Sequence, residues 1–308
     1  MTNSRTLLIA RVGPDSLHRH WLAPEGARTF DLLLSAYDES VTAPRAAGVY
    51  FEYRPGRKVA GYAALLREHR ALWARYDHVA LFDDDLLIDA TGLERLFAIV
   101  AAHRPRVAQP ALSHDSYFTY AALLRHPGFL LRHMTYVEMM CPVFRVDALA
   151  EILPLFDLGF ESGIDIIWSN LLARAPEDLA VIDAVTVRHT RRVGSVKASN
   201  GFAGRFYEDD IHALLARFDC PWLPCLPYDG IRTDGRAVTG RGAFLPDALA
   251  LAAAVPLLGP MKRRARNIAV YWKHLLTARP HNVPLAWPAL QAQDALRRDA
   301  APREIEQR

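Results

Sequence analysis

The sequence predicts an α/β fold, a Rossmann-like and mostly parallel sheet with flanking helices, followed by a C-terminal helical extension. Three observations predict it. Strand-like apolar runs alternate with helix-periodic segments over the first two thirds of the chain, the pattern of parallel strands joined by helical crossovers. One such run, "HVALF", ends in Asp83, Asp84 and Asp85 directly before a helical pattern, and open α/β sheets bind ligands outside the carboxyl ends of their strands. The chain has 308 residues, 51% of them hydrophobic and 23% charged, enough for one large core or a domain with an appendage.

The elements follow in order. "RTLLIARVG", "TFDLLLSAYD" and "GVYFEY" read as buried strands, short apolar runs that end in glycine or polar residues. From Val59 to Trp73 the apolar positions Tyr62, Leu65, Leu66, His69 and Trp73 keep helical spacing, with Lys58 at the helix start. "HVALF" is the next strand. After the aspartates, Thr91 and Glu94 stand at capping-box spacing before a stripe of Leu93, Leu96, Phe97 and Val100. "RVAQPAL", "TYVEMMCPVF" and "LAVIDAVTV" add strands. Between the last two lies a helix with Ile164, Ile167, Trp168, Leu171 and Leu172 on one face, and Ser162 and Asp165 at capping-box spacing at its start. Past Gly194 the pattern becomes Gly/Pro-punctuated, then apolar and basic helical segments run from Ala248 to Leu276. The expected division is a main α/β domain over 1–240, a helical extension over 241–290, and a charged tail over 291–308 expected to be disordered.

Composition narrows the function. A formal net charge of +3 is not the clustered basic excess of a nucleic-acid binder, so no nucleic-acid partner is expected. Cys141, Cys220 and Cys225 form neither a disulfide framework nor a zinc pattern, and reduced thiols in the cytoplasm are the expectation. No signal-peptide pattern precedes the first strand, and no uncharged apolar run reaches the ~20 residues of a spanning helix. "ALALAAAVPLLGPM" comes nearest and is followed by "KRRAR"; residues 248–266 suit either peripheral contact with the inner membrane surface or an ordinary packed helix.

Adjacent aspartates repel, and a buried strand end that holds them ionised calls for a cation. Hard oxygen ligands favour Mg2+ or Mn2+, which keep waters and bridge to nucleotide phosphates. Side chains alternate in an extended segment, so Asp83 and Asp85 point one way and Asp84 the other, an Asp-x-Asp arrangement. A solvated acidic loop is the competing reading of the same residues.

"LFDDDL", "AQPAL", "YVEMMCPVF", the "GID" at the next helix and "VIDAVTVRH" occur in that order. Together with "FDLLLSAYD" they resemble the domain-of-unknown-function family 707, grouped with the nucleotide-sugar-dependent glycosyltransferases of the GT-A fold. The resemblance runs from Thr6 to about Gly194, and Asp84 stands where that family mostly has glutamate. It implies transfer of a sugar from a nucleoside diphosphate sugar to a polysaccharide, glycolipid or other acceptor, with Mn2+ or Mg2+ holding the diphosphate. By the same resemblance Asp85 is a direct metal ligand, Asp83 a ligand of the ribose or of a metal-bound water, and His189 in "TVRHT" the third ligand; Asp84 belongs with the donor site. Asp165 is the first candidate for the base that deprotonates the acceptor, Glu138 its rival, and Glu161 a weaker third. Val12 and Gly13 at the first strand's end, with Asp38 at the second's, mark the base and ribose, and Lys58 is in place to reach a phosphate. Arg191 and Arg192 are candidates to close on the diphosphate. Ser113 to Asp115, "SHD", cannot act as a hydrolytic triad from adjacent positions. Two other classes stay open on these residues: a binding protein that has lost transfer, and a metal-dependent phosphoester or diphosphate hydrolase.

Overall fold

The structure, a computed structural model, describes residues 4–22, 28–192, 207–254, 261–283 and 285. The tail at 291–308 lies outside them. Strand β1 (Thr6–Val12) is buried along its whole length. It pairs in parallel with β2 (Phe30–Ala36), and β2 in turn with β3 (Val49–Tyr53). The chain then forms helices α1 (Lys58–Glu68) and α2 (Arg70–Trp73) and returns to the other side of β1 as β4 (His78–Phe82). Thr6 is thus level with both Phe30 and His78.

After the aspartates come the two-residue β5 (Leu86–Leu87), α3 (Ala90–His103), β6 (Val107–Leu112), β7 (Phe129–Met134) and β8 (Val143–Arg145). Helices α4 (Val146–Phe156) and α5 (Ile164–Leu172) precede β9 (Leu179–His189). Then follow α6 (Tyr207–Phe218), β10 (Pro227–Arg232), β11 (Ala237–Thr239), α7 (Leu245–Ala254) and α8 (Met261–Thr277). The sheet order is β11-β10-β7-β9-β6-β8-β4-β1-β2-β3, with β5 pairing on β9 off this path. Strands β1, β2, β3, β4, β6, β9 and β10 run one way, and β7, β8 and β11 the other. The expected architecture, a largely parallel sheet with flanking helices, is the observed one.

Alternation along β1 divides the interior into two cores. Leu8, Ala10 and Val12 face the core built with α3, α7 and α8, through Leu93, Leu96, Ala248, Leu251, Ile268 and Tyr271. Leu7 and Ile9 face the core built with α1, α4 and α5, through Leu65, Leu66, Leu149, Ile152, Ile167 and Trp168. Among the described residues no helix is long and apolar enough to cross a membrane.

Three local expectations are corrected. "TYVEMMCPVF" is not one strand: residues 135–142 are irregular and only Val143 and Phe144 join β8. Helix α3 is capped by Asp89, whose side chain accepts from the Gly92 N–H at 2.7 Å, while Glu94 accepts from Thr29 N instead of closing a box with Thr91. Helix α5 has no side-chain cap; its N-cap is Gly163 at φ 84°, where a Cβ would be strained. Ser162 instead donates to the Tyr207 carbonyl, and all nine residues of α5 are buried.

Candidate active site

Connections leave β1 for β2 and β3 on one side and return to β4 on the other, so the strand order reverses between β1 and β4, and at such a point the carboxyl ends of an open α/β sheet form a ligand-binding crevice. Val12 and Gly13 lie at the end of β1, and Asp83 to Asp85 at the end of β4. Main-chain bonds fix the acidic segment: Asp83 N to Met140 O at 2.9 Å, Leu17 N to Asp84 O at 2.7 Å, and Thr190 N to Asp85 O at 3.1 Å.

Each aspartate faces its own basic side chain. Asp83 accepts from Lys58 Nζ at 2.8 Å, and Lys58 also reaches the Met139 carbonyl. Asp84 pairs with Arg191 at 2.9 Å and accepts from Gly13 N at 3.1 Å and from the Tyr37 hydroxyl at 2.8 Å. Asp85 Oδ2 meets His189 Nε2 at 3.1 Å. Strand alternation does not separate the three, because the strand ends at Phe82 and Asp84 and Asp85 lie in a turn; the middle carboxylate is set apart by its partners. It ties the ends of β1 and β2 to the segment after β9, with both oxygens held by protein groups.

Burial and charge set the protonation of this cluster. Burial raises Asp83 to about 6, and Asp85 adds to the rise while Lys58 opposes it. Burial pushes Asp84 up against the pull of Arg191. For Asp85 burial acts in the same sense, but the hydrogen bond and charge of His189, with Arg191 and Lys58, outweigh it and hold the carboxyl below its ordinary value. Burial disfavours the His189 cation, and Asp85 outweighs that too, so His189 is raised.

Two further carboxyls complete the crevice. Asp165, in the first turn of α5, accepts from the Tyr136 hydroxyl at 2.6 Å, from Met139 N at 3.1 Å and from Ile166 N at 3.1 Å. It thereby shapes the irregular 135–142 segment. Glu138 is carried on that segment, and its own N–H donates to Gln109 Oε1 at 2.7 Å. Its Oε2 is buried and has no hydrogen-bond partner. Burial, then the charge of Asp165, raises Glu138 to about 7, while His189 and Lys58 oppose the rise. The sequence-predicted residues Lys58, Asp83, Asp85, Glu138, Asp165 and His189 therefore form one electrostatic cluster.

The other candidates stand elsewhere. Asp38 follows β2 with its carboxylate accepting from Ser40 N at 2.9 Å. Glu161 caps α1, accepting from Val59 N at 2.8 Å and Ala60 N at 3.1 Å, in the turn that begins with Lys58. Arg192 is exposed. In the "SHD" stretch Ser113 donates to Asp115 and His114 bonds the Arg125 carbonyl, which is no triad. Sequence reasoning missed Tyr37 and Tyr136. Tyr37 lies over Gly13, where a Cβ would come within 2.2 Å of its hydroxyl oxygen. Its place directly before Asp38 was the available signal.

Among the described residues no three His, Cys, Asp or Glu side chains are grouped to hold a metal ion. A smaller donor set does fit a divalent cation. Asp85 Oδ1 is buried without a partner, and His189 Nδ1 donates to the Tyr117 carbonyl at 2.8 Å, leaving Nε2 directed at Asp85. A histidine oriented in this way through its second nitrogen has the arrangement that metal ligands use. Carboxylate and imidazole suit Mn2+ or Mg2+ when substrate phosphates complete the shell.

No family model matches the chain, and no curated protein does. The chain is similar to three crystal structures of S. aureus TarS. The structure titled TarS 1-349 has 11% identity and a TM-score of 0.42 over 59% of either chain. TarS itself has 11% identity and a TM-score of 0.40, covering 69% of this chain and 43% of that one. TarS 1-349 in complex with UDP-GlcNAc has 10% identity and a TM-score of 0.43, covering 89% and 74%. The chain thus spans less than two thirds of the first two of these structures.

Proposed function

We propose that the protein is a metal-dependent glycosyltransferase of the GT-A type, moving a sugar from a nucleoside diphosphate sugar to a carbohydrate or lipid-linked acceptor. One observation carries the reading: at the switch point of the sheet, an unpartnered oxygen of Asp85 beside His189 shares one electrostatic cluster with an unpartnered carboxyl of Glu138. The sequence resemblance points to the same reaction.

In this reading Asp85 and His189 hold the cation, Mn2+ or Mg2+. When bound, it offsets the charge that develops on the departing diphosphate. Asp83 and Lys58 line the same side of the segment, where Lys58 is placed to contact phosphate and Asp83 the ribose. Val12, Gly13 and Tyr37 form the floor for the nucleoside. Asp84 serves this floor indirectly, by fixing Gly13, Tyr37 and Arg191.

The proton of the acceptor hydroxyl goes to Glu138. A base works best when its pKa lies near the working pH and it can reach the proton. Glu138, near 7 with a free oxygen, meets the first condition. Asp165 has Oδ2 taken by Tyr136 and Met139 and Oδ1 by the Ile166 N–H, so neither of its oxygens is without a partner as Glu138 Oε2 is. Asp165 is therefore the positioning residue of the pair, acting through Tyr136 and Met139 on the segment that presents Glu138.

The test is incubation of the purified protein with Mn2+ and a panel of nucleotide sugars, with and without saccharide acceptors, reading release of nucleoside diphosphate. Acceptor-stimulated release that disappears in Asp85→Ala supports the proposal. Release of equal rate with and without acceptors identifies a hydrolase, and donor binding without release identifies a binding protein; either outcome refutes it.

A further inference from the structure

We propose that the outer face of helices α7 and α8 docks on the surface of an anionic phospholipid bilayer. The large aliphatic side chains exposed among the described residues are Leu249, Val270 and Leu276, at 59%, 41% and 62% exposure. All three lie on these two helices; the other large exposed hydrophobics are the aromatic residues Tyr37, Tyr50, Tyr53 and Trp222. On α7 the outward positions Pro246, Leu249, Ala250, Ala252 and Ala253 carry no charge. Its one acid, Asp247, is turned inward to Gly128 N at 3.1 Å and Arg232 at 3.4 Å.

Helix α8 is anchored by one stripe and bare on another. Ile268, Tyr271 and Leu275 are buried, Tyr271 meets His126 at 3.1 Å, and Trp272 donates to the Ala248 carbonyl of α7 at 2.7 Å. The opposite positions Arg266, Ala269, Val270, Lys273 and Leu276 are exposed. Between Leu245 and Arg279 the sequence has six Arg or Lys and a single acid, a formal +5 in a chain whose total is only +3. The rest of the chain is thus net negative. Of the cations in this stretch Arg266, Lys273 and Arg279 are exposed beside the aliphatics, while Arg264 is turned inward over the rings of Tyr117 and Phe118. Apolar side chains among outward cations, on helices too short and polar to span, are the features of an interfacial amphipathic surface. Its charge selects an anionic leaflet. The proposal does not depend on the catalytic reading.

The experiment is co-sedimentation of the full chain with vesicles of phosphatidylcholine alone, or of phosphatidylcholine with phosphatidylglycerol, at low and high salt. Binding to the anionic vesicles that falls with salt is expected. Arg266→Glu with Lys273→Glu should lower the partition coefficient roughly 30-fold or more, at about five-fold for each cation lost near the surface. Leu249→Ser, Val270→Ser and Leu276→Ser together should weaken binding to the same vesicles, with an unchanged thermal midpoint showing that the fold is retained. Equal binding to neutral vesicles, or full binding by both variants, overturns the proposal. So does a dimer in light scattering that the triple serine variant converts to monomer, because the face would then be a protein interface.

Discussion

Glu138→Gln separates chemistry from stability. In the unfolded chain a glutamate titrates near 4.5, and in the fold Glu138 is raised to about 7. Between those values the folded state binds the extra proton, so stability falls as pH rises through the window. The span corresponds to about 3 kcal/mol of folding free energy, present below the lower value and lost above the upper one. Glutamine cannot ionise and keeps the shape. At pH 8 the variant should therefore be more stable than the parent by up to about 3 kcal/mol, and at pH 4 the two should be nearly equal. Loss of a general base should at the same time lower acceptor-dependent turnover by roughly 10²- to 10⁴-fold. Turnover of the parent should rise with pH through about 7, with that limb absent from the residual rate of the variant. Thermal unfolding across pH and nucleoside diphosphate release with a saccharide acceptor measure the two effects. A variant that keeps more than a tenth of the activity, or that is less stable at pH 8, refutes the assignment.

Asp165→Asn places an amide beside the Met139 N–H or forfeits the Tyr136 bond, at a cost of about 1–3 kcal/mol. It should lower both the thermal midpoint and turnover, and Tyr136→Phe should do the same more mildly; full activity in both removes the positioning role. Gly13→Ala drives a methyl to within 2.2 Å of the Tyr37 hydroxyl oxygen, for an expected loss of about 1–3 kcal/mol. Tyr37→Ala in the same chain should recover part of that loss in a double-mutant cycle. Arg132→Met leaves Asp183 charged in a fully buried place, where the pair now meets at 2.7 Å. Breaking it should cost about 3–5 kcal/mol by denaturant titration, and adding Asp183→Asn should restore much of it.

The central parallel strands β1 and β4 were legible because each is a continuous run buried on both faces, "TLLIARV" and "HVALF", whereas the edge strand β3 is only partly buried. The same rule misreads "TYVEMMCPVF". Its apolar residues are buried, but the N–H groups of Val137, Glu138 and Met139 bond the side chains of Ser169, Gln109 and Asp165 instead of a neighbouring strand. Hydrophobicity reports burial; it does not report where the main-chain bonds go. Strand β10, "PYDGIR", opens on proline and contains glycine, and nothing local marks it as a strand. Helix α4 carries Pro154 in its last turn, and a proline there argues locally against a helix. At the site, the place of Asp83, Asp84 and Asp85 just past the strand "HVALF" could be read from the sequence, although Asp84 and Asp85 lie in a turn and do not continue the strand's alternation. The partners of Asp165 could not, since its bond to Tyr136 spans 29 residues.

Three adjacent carboxylates at the end of a buried strand are tolerable because each is turned to a basic side chain from elsewhere in the fold. Lys58 comes from the start of α1, His189 from the end of β9 and Arg191 from just beyond it. Asp85 and His189 are 104 residues apart in sequence, and Asp84 and Arg191 are 107 apart. The first and second halves of the sheet are thus tied by charge across the crevice where the strand connections diverge. These contacts are not equivalent. Asp84 has both oxygens engaged and joins three elements, whereas Asp85 keeps one buried oxygen without a partner. A buried acceptor left open costs free energy in the free protein, and a ligand-binding crevice is where such a cost has a use. The middle aspartate joins the ends of β1 and β2 to the segment after β9, and the last one keeps the oxygen that the proposed cation would take.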